Sequence, residues 1–369
     1  MKPKDKKHII VSVITDLISD NRVHKVCCTL TGMGYEVTLV GRMLSDSPSV
    51  TGRPYATHRF RLLINKGLLF YAFYNFRLLL YLLGHHFDVL LANDLDTLPA
   101  NILASGIKRK PIVYDSHEYF TEVPELIGRP GTKRIWEWIE GKLVPHVHEA
   151  ITVCKSIAAI YTEKYKIHFH VVRNLPVARK VYSIKEEGHL PAIMYQGSLN
   201  PGRGLECCIR AMKHIEGARL VIAGDGELKK KLMALAISEG VSHKVEFLGR
   251  LPLEELAEIT PKASVGVSVE EDLGWNYHYA LPNKLFDYIQ ARVPVFVSNL
   301  PEMAAVVKQY GIGVINSDFT PRGIANMFNE MINNDEKRKV WLDNLEYASG
   351  ELIWEKEEKI IQQIFNKFL

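Results

Sequence analysis

The chain has 369 residues, of which 47% are hydrophobic and 24% charged, with 25 Gly and 17 Pro. This is ordinary globular composition for about two domains, and it excludes disordered, collagen-like and coiled-coil chains. The net charge of +4 is too small to mark a nucleic-acid binder, but it is unevenly spread. Residues 1–178 hold 23 Lys and Arg against 16 Asp and Glu, and the remainder holds 23 against 26. A basic first half suits an anionic partner such as a membrane surface. The five cysteines, Cys27–Cys28, Cys154 and Cys207–Cys208, show no C-x-x-C spacing, which points to a reducing, cytoplasmic setting.

In chain order, Met1–Lys7 is short and basic, and the apolar run behind it is too short for a signal peptide. The first half offers strands at Ile9–Thr15, Glu36–Val40, Val89–Ala92, Ile112–Tyr114, Ile151–Val153 and His170–Val172. The second half offers Ala192–Tyr195, Arg219–Ala223, Val245–Leu248, Ser264–Val269, Pro294–Ser298 and Gly313–Ile315. Short β-rich runs alternating with helical patterns predict two parallel, doubly wound α/β sheets. A break near Asn174–Leu190 divides residues 1–178 from 190–350, and residues 351–369 read as a closing amphipathic helix. No stretch of 18 uncharged apolar residues is seen, so no segment is expected to span a bilayer.

The segment Leu62–Leu83 has two readings. Leu68, Leu69, Phe73 and Phe76, with Arg59, Arg61, Lys66 and Arg77 nearby, suit an anionic bilayer surface. A crossover helix half buried against the sheet has the same composition, is commoner, and is the favoured expectation.

Ligands of doubly wound sheets sit beyond the carboxyl ends of the strands. Gln196–Gly204 follows a strand and opens a helix there. Its glycines, Gly197 first, would let backbone N–H groups approach a phosphate, with Arg203 adding charge. It is not a Walker A loop. Ala223-Gly224-Asp225-Gly226-Glu227 lacks the third Gly of a dinucleotide fingerprint, which disfavours a nicotinamide enzyme. In Pro282-Asn283-Lys284-Leu285-Phe286-Asp287, the proline suits a first helical turn. The N–H groups of Asn283–Leu285 and the Lys284 ammonium could hold a diphosphate, and Asp287 a ribose diol.

In the first half, Asn93-Asp94-Leu95-Asp96 and Asp115-Ser116-His117-Glu118 end strands. His117 is able to hydrogen-bond a sugar hydroxyl or to accept a proton. Arg22, after the first strand, either reaches an anionic ligand or is a solvated first-turn residue. The histidine near-pairs lack the company of a zinc site, and nucleic-acid motifs are absent.

Taken in order, these stretches, with Phe247-Leu-Gly-Arg250, resemble the GT-B glycosyltransferases of family 4 over essentially the whole chain. The resemblance implies two Rossmann-like domains facing a cleft, with the last helix crossing back to the first domain. It implies retaining sugar transfer from a nucleotide-sugar donor to a glycan or lipid-linked glycan acceptor, in cell-surface polysaccharide synthesis, with no required metal or cofactor. Carried over by residue, Arg203 is the basic position of the phosphate turn, Asp287 the ribose-binding acid, and His117 the histidine near the donor sugar. Gly224, Asp225 and Arg250 fall on the ribose and base side, and Arg22 and Asp94 on the acceptor side. Three departures stand out: Asp20-Asn21-Arg22 follows the first strand in place of the common Gly-Gly loop, Ser198 replaces a frequent basic residue, with Lys284 the candidate substitute, and Tyr279 stands where the family has a first glutamate. Glu270 and Glu271 lie too far upstream to replace that glutamate. A nucleotide-sugar epimerase and a non-catalytic sugar-nucleotide binder are the alternatives.

Overall fold

A computed structural model describes residues 6–18, 20–126, 128–179 and 190–369. The Lys-Glu-Glu-Gly stretch expected at the domain break lies outside the described residues. The chain forms two compact units, Met1–Asn174 with Lys356–Leu369, and Leu175–Glu355.

The first unit is built on a seven-stranded sheet in the order β3-β2-β1-β4-β5-β6-β7. Its strands are β1 (His8–Ser12), β2 (Glu36–Met43), β3 (Ala56–Arg61), β4 (Val89–Asn93), β5 (Ile112–Ser116), β6 (Glu149–Thr152) and β7 (Phe169–Val171). The second unit carries a six-stranded sheet in the order β10-β9-β8-β11-β12-β13. These are β8 (Ala192–Gln196), β9 (Arg219–Ala223), β10 (Val245–Gly249), β11 (Val265–Ser268), β12 (Val295–Ser298) and β13 (Gly313–Asn316). Every pairing between strands is parallel. β4, β5 and β8 are buried along their whole length, which is why they read as continuous apolar runs.

β3 has no counterpart among the expected strands. Its sequence, Ala-Thr-His-Arg-Phe-Arg, is polar because the strand is an exposed sheet edge, and only Phe60 is buried. An edge strand carries no two-sided apolar signal, so periodicity alone misses it.

The helix Gly67–Gly84 is long and apolar enough, by length and composition, to cross a membrane, although Arg77 interrupts it. One face is buried and the other exposed, as for a crossover helix half buried against the sheet. Phe70, Tyr74, Leu78 and Leu82, spaced by four, form one buried stripe, yet only 22% of its residues are buried. Leu68, Leu69, Phe76 and Leu80 are exposed, and the neighbouring helices add exposed Leu103, Ile107, Ile135 and Trp138.

The closing helix, Trp354–Asn366, contributes its residues from Lys356 onward to the first unit. Ile361, Ile364 and Phe365 are buried there. Glu357 accepts from the Arg173 guanidinium at 2.6 and 3.1 Å, and Tyr35 donates to the Phe365 carbonyl at 2.7 Å.

Candidate active site

In each sheet the strand order reverses direction between the first strand and the fourth, at β1/β4 and at β8/β11. Crevices at such switch points are the usual ligand sites of open α/β sheets.

In the second unit, the loop after β8 is tied to the loop after β9. Gly197 N–H donates to the Ala223 carbonyl at 3.0 Å and Leu199 N–H to the Asp225 carbonyl at 2.9 Å. A Cβ on Gly224 would lie 1.8 Å from the Gly197 oxygen, and one on Gly226 2.7 Å from the Leu199 oxygen. These glycines allow two backbones to touch. The Gly197 N–H is spent inside the fold, so any backbone donor to a phosphate comes from elsewhere in this loop. Asp225 is exposed, accepts from Gly226 N–H at 2.8 Å and pairs with Lys229 at 3.0 Å. Those hydrogen bonds hold its carboxyl below the usual range, with the exposed Arg250 in electrostatic reach.

Arg203 lies between Gly202 and Gly204, both at positive φ (79° and 64°). Its Nη1 is 3.3 Å from Glu270 Oε1, its guanidinium faces the Tyr277 ring at 5.5 Å, and its buried Nε has no hydrogen-bond partner. Lys284, 8% exposed, sets its Nζ 2.8 Å from the same Glu270 oxygen and 4.0 Å from the Tyr195 ring centre. An ammonium carries three donors, and this ion pair uses one. Glu270 is fully buried just beyond β11; its other carboxylate oxygen accepts from Ser268 at 2.8 Å. Burial pushes the Glu270 carboxyl up, but Lys284 and Arg203 outweigh it and hold it below the usual range. Glu270 was set aside on sequence distance; the fold brings it to both cations. The available signal was a carboxylate placed directly after a buried strand.

The helix Asn283–Gln290 begins one residue after Pro282, whose φ of −70° and ψ of 143° are extended. The proline thus precedes the helix and is not in its first turn. Leu285 N–H donates to the Pro282 carbonyl at 3.1 Å and its side chain is core, so the phosphate role expected of Leu285 is corrected. Asp287 accepts from Gln196 Nε2 at 2.9 Å, which fixes its carboxylate beside the end of β8. Tyr279 stacks on Trp275 with ring centres 5.8 Å apart.

The first unit gathers a different set. His117 Nδ1 is 3.3 Å from Asp94 Oδ2, and its Nε2 is 3.4 Å from Asp115 Oδ2 and 3.2 Å from Asn93 Oδ1. Its backbone N–H also donates to Asp94 at 2.8 Å. Burial pushes the imidazole down, but Asp94 and Asp115 outweigh it and raise its pKa to about 9. This shift favours the imidazolium, which donates from both ring nitrogens. Asp115 is in turn clamped by Arg22, at 3.1 Å from Nε and 2.8 Å from Nη2, while Nη1 donates to the Val172 carbonyl at 2.7 Å. Burial opposes ionisation of Asp115, yet Arg22 and His117 hold it far below the usual range. Arg22 is thus not solvated: it is 3% exposed, and each of its guanidinium nitrogens already donates to a protein oxygen. Asp94 takes a left-handed backbone, φ 58°, which is uncommon for a non-glycine. Among the described residues, no three His, Cys, Asp or Glu side chains converge as metal ligands.

Residues 20–175 match the family Glycosyltransferase Family 4, and residues 179–346 match Glycosyl transferases group 1. The chain belongs to these glycosyltransferases, on the GT-B fold. Among curated relatives are two uncharacterized glycosyltransferases of Methanocaldococcus jannaschii, MJ1178 and MJ1607. They are 24% identical over 181 residues and 32% identical over 163 residues. The matched segments take in 49% of this chain and of MJ1178, and 40% of this chain and of MJ1607. Among solved structures, sucrose-phosphate synthase from Thermosynechococcus elongatus is similar at TM-score 0.82 and 14% identity, over 98% of this chain and 99% of that one. Anabaena HepE in complex with UDP-glucose is similar at TM-score 0.75 and 14% identity, over 98% and 99%. At these identities the structural likeness speaks for the fold.

Proposed function

We propose that the protein transfers a sugar, with retention of configuration, from a nucleotide-sugar donor to a glycan or lipid-linked glycan in cell-surface polysaccharide synthesis. The observation that carries this reading is the pair of cations, Arg203 and Lys284, held on one buried carboxylate at the β8/β11 switch point. Two positive charges against one negative leave a net charge suited to a diphosphate. HepE, a structural neighbour, is known in complex with UDP and with UDP-glucose, which makes a uridine nucleotide the first donor to try.

In the proposed reaction, an acceptor hydroxyl attacks the anomeric carbon as the bond from that carbon to the phosphate oxygen breaks. The bonding pair leaves with the nucleoside diphosphate, and the acceptor proton passes to a phosphate oxygen on the same face. Arg203 and Lys284 stabilise the developing phosphate charge, in the role a divalent cation plays elsewhere; preorganised donors of this kind contribute roughly 3–4 kcal/mol each. Asp287 is proposed to accept from the ribose hydroxyls, and Asp225 and Arg250 to border the base. His117 is proposed to lie beside the sugar in transit and to hold the Asp94 carboxylate in place there. The exposed apolar residues of Gly67–Gly84, flanked by Arg61, Lys66 and Arg77, support reversible contact with an anionic membrane on its cytoplasmic face.

The test is incubation with UDP-, GDP- and ADP-sugars, following nucleoside diphosphate release and the anomeric signal of the product by NMR. An inverted anomer overturns the retaining step. Absence of nucleoside diphosphate release with every donor overturns transfer. Interconversion of the donor sugar would instead establish an epimerase.

A further inference from the structure

Buried polar side-chain atoms without a partner are rare in folded proteins, and each one calls for an explanation. Among the described residues, several such atoms lie near the carboxyl ends of strands. Arg203 Nε belongs to the cation pair already described. Thr15 Oγ1, Arg42 Nε and Asp96 Oδ1 fall together at the equivalent end of the first sheet, just past β1, near the end of β2 and just past β4.

The local fold holds these three in place. Arg42 N–H donates to the Thr15 carbonyl at 2.9 Å. The loop carrying Thr15 lies directly on Gly41, where a Cβ would sit 2.6 Å from that carbonyl and 2.5 Å from Leu17 Cδ2. Leu17 itself takes φ 72°, a strained value for a leucine. Asn75, on the helix Gly67–Gly84, donates to the Asp96 carbonyl at 2.7 Å and fixes the third residue. From the same helix, Phe70 lies beneath the Arg42 guanidinium, 4.7 Å from its centre.

We infer that Thr15, Arg42 and Asp96 form an acceptor subsite that takes a sugar bearing a phosphate. Arg42 holds the anionic group, and Asp96 and Thr15 hold adjacent sugar hydroxyls. The inference rests on the transfer reading and deepens it by naming the chemistry of the acceptor. Arg22, buried nearby, spends its donors on Asp115 and Val172, whereas Arg42 retains an unused donor. Burial and the Asp94 charge raise the Asp96 carboxyl well above the usual range, while His117 and Arg42 pull the other way. Arg42 Nε has no hydrogen-bond partner, a costly state for a buried donor until an acceptor arrives. In its protonated form the Asp96 carboxyl offers one donor and one acceptor, the complement of a sugar hydroxyl.

The full chain, with its donor site saturated by UDP or GDP, is titrated calorimetrically with methyl glucoside and with glucose 1-phosphate. The phosphate ester is expected to bind at least tenfold tighter. Arg42→Gln should erase that preference and Arg42→Lys retain part of it. Asp96→Asn, which keeps a neutral donor and acceptor, should stay within about threefold of the unmutated protein, while Asp96→Ala weakens both probes. Equal binding of the two probes to the unmutated protein, or a preference that survives Arg42→Gln, overturns the subsite. Nucleoside diphosphate affinity is read in the same cell. Its absence in the unmutated protein would count against the donor reading, and an unmoved urea-unfolding transition of the first unit shows that the variants fold. The octyl ester of glucose 1-phosphate separates the two sources of this chemistry. Extra affinity that Leu69→Ser and Phe76→Ser remove marks a lipid-linked acceptor; no extra affinity marks a soluble phosphosugar.

Discussion

The two units share one strand plan and place their polar groups at the same switch point, yet they treat charge in opposite ways. In the first unit, carboxylate and cation alternate: Asp94, His117, Asp115 and Arg22. That row is self-neutral, and its members satisfy one another. In the second unit, Arg203 and Lys284 share the single carboxylate of Glu270, so positive charge is left over. A balanced network leaves no charge over for a ligand, whereas an unbalanced one favours an anion. The two units thus differ through a single count of carboxylates.

The comparison can be broken first at its scaffold. Gly224→Ala places a Cβ against the Gly197 oxygen, at 1.8 Å in the present backbone, and should destabilise the second unit by more than about 4 kcal/mol. Urea unfolding monitored at both units should show one transition displaced; an unchanged curve would mean the two loops do not carry the site.

His117→Ala should lower turnover by about 10²–10³-fold, roughly 3–4 kcal/mol, with nucleoside diphosphate affinity unchanged. The pH dependence sharpens this point. The folded pKa of about 9 lies above the ordinary histidine value of 6.5. The stabilisation from the cation is therefore complete below pH 6.5 and is lost as pH rises through 9. Unfolding free energy should fall across that window in the unmutated protein and be flatter in His117→Gln. Parallel curves for the two proteins would remove the charge from His117.

Lys284→Ala and Arg203→Ala should each weaken nucleoside diphosphate binding by about 10–100-fold, roughly 1.5–3 kcal/mol, measured by calorimetry. Unchanged affinity in both would leave the second unit with no phosphate role for its cations. The smallest expected effect is also the sharpest in sign. Glu270→Gln keeps size and hydrogen bonding but removes the counter-charge, so nucleoside diphosphate should bind several-fold tighter, by about 1 kcal/mol. Weaker binding would show that Glu270 matters only for holding the two cations in position.

Much of the plan was legible along the chain. The buried central strands announce themselves as apolar runs, and the residues that follow them are the polar stretches from which both sites are assembled. What stayed illegible is specific. β3 is a polar edge with nothing to bury on its outer side. The helix Gly67–Gly84 has apolar residues on every side, so its composition did not say which stripe meets the sheet.

Sequence by itself determined the alternation of strands and helices, the polar strand ends and the membership of Arg203, Lys284, Asp287 and His117 among the candidates. Those are properties of local spacing, set by residue type and by the periods of helix and strand. Only the tertiary structure decided which of these groups are spent and which are available. Gly197 and Leu285 lose their N–H groups to neighbouring carbonyls, and Arg22 is consumed by a carboxylate 93 residues away. Glu270 gains two cations, one from a loop and one from a helix, while Arg42 and Asp96 keep unused atoms. Hydrogen-bonding capacity is exhausted by partners brought in from distant parts of the chain, and charge is balanced in space, so neither can be counted along a sequence.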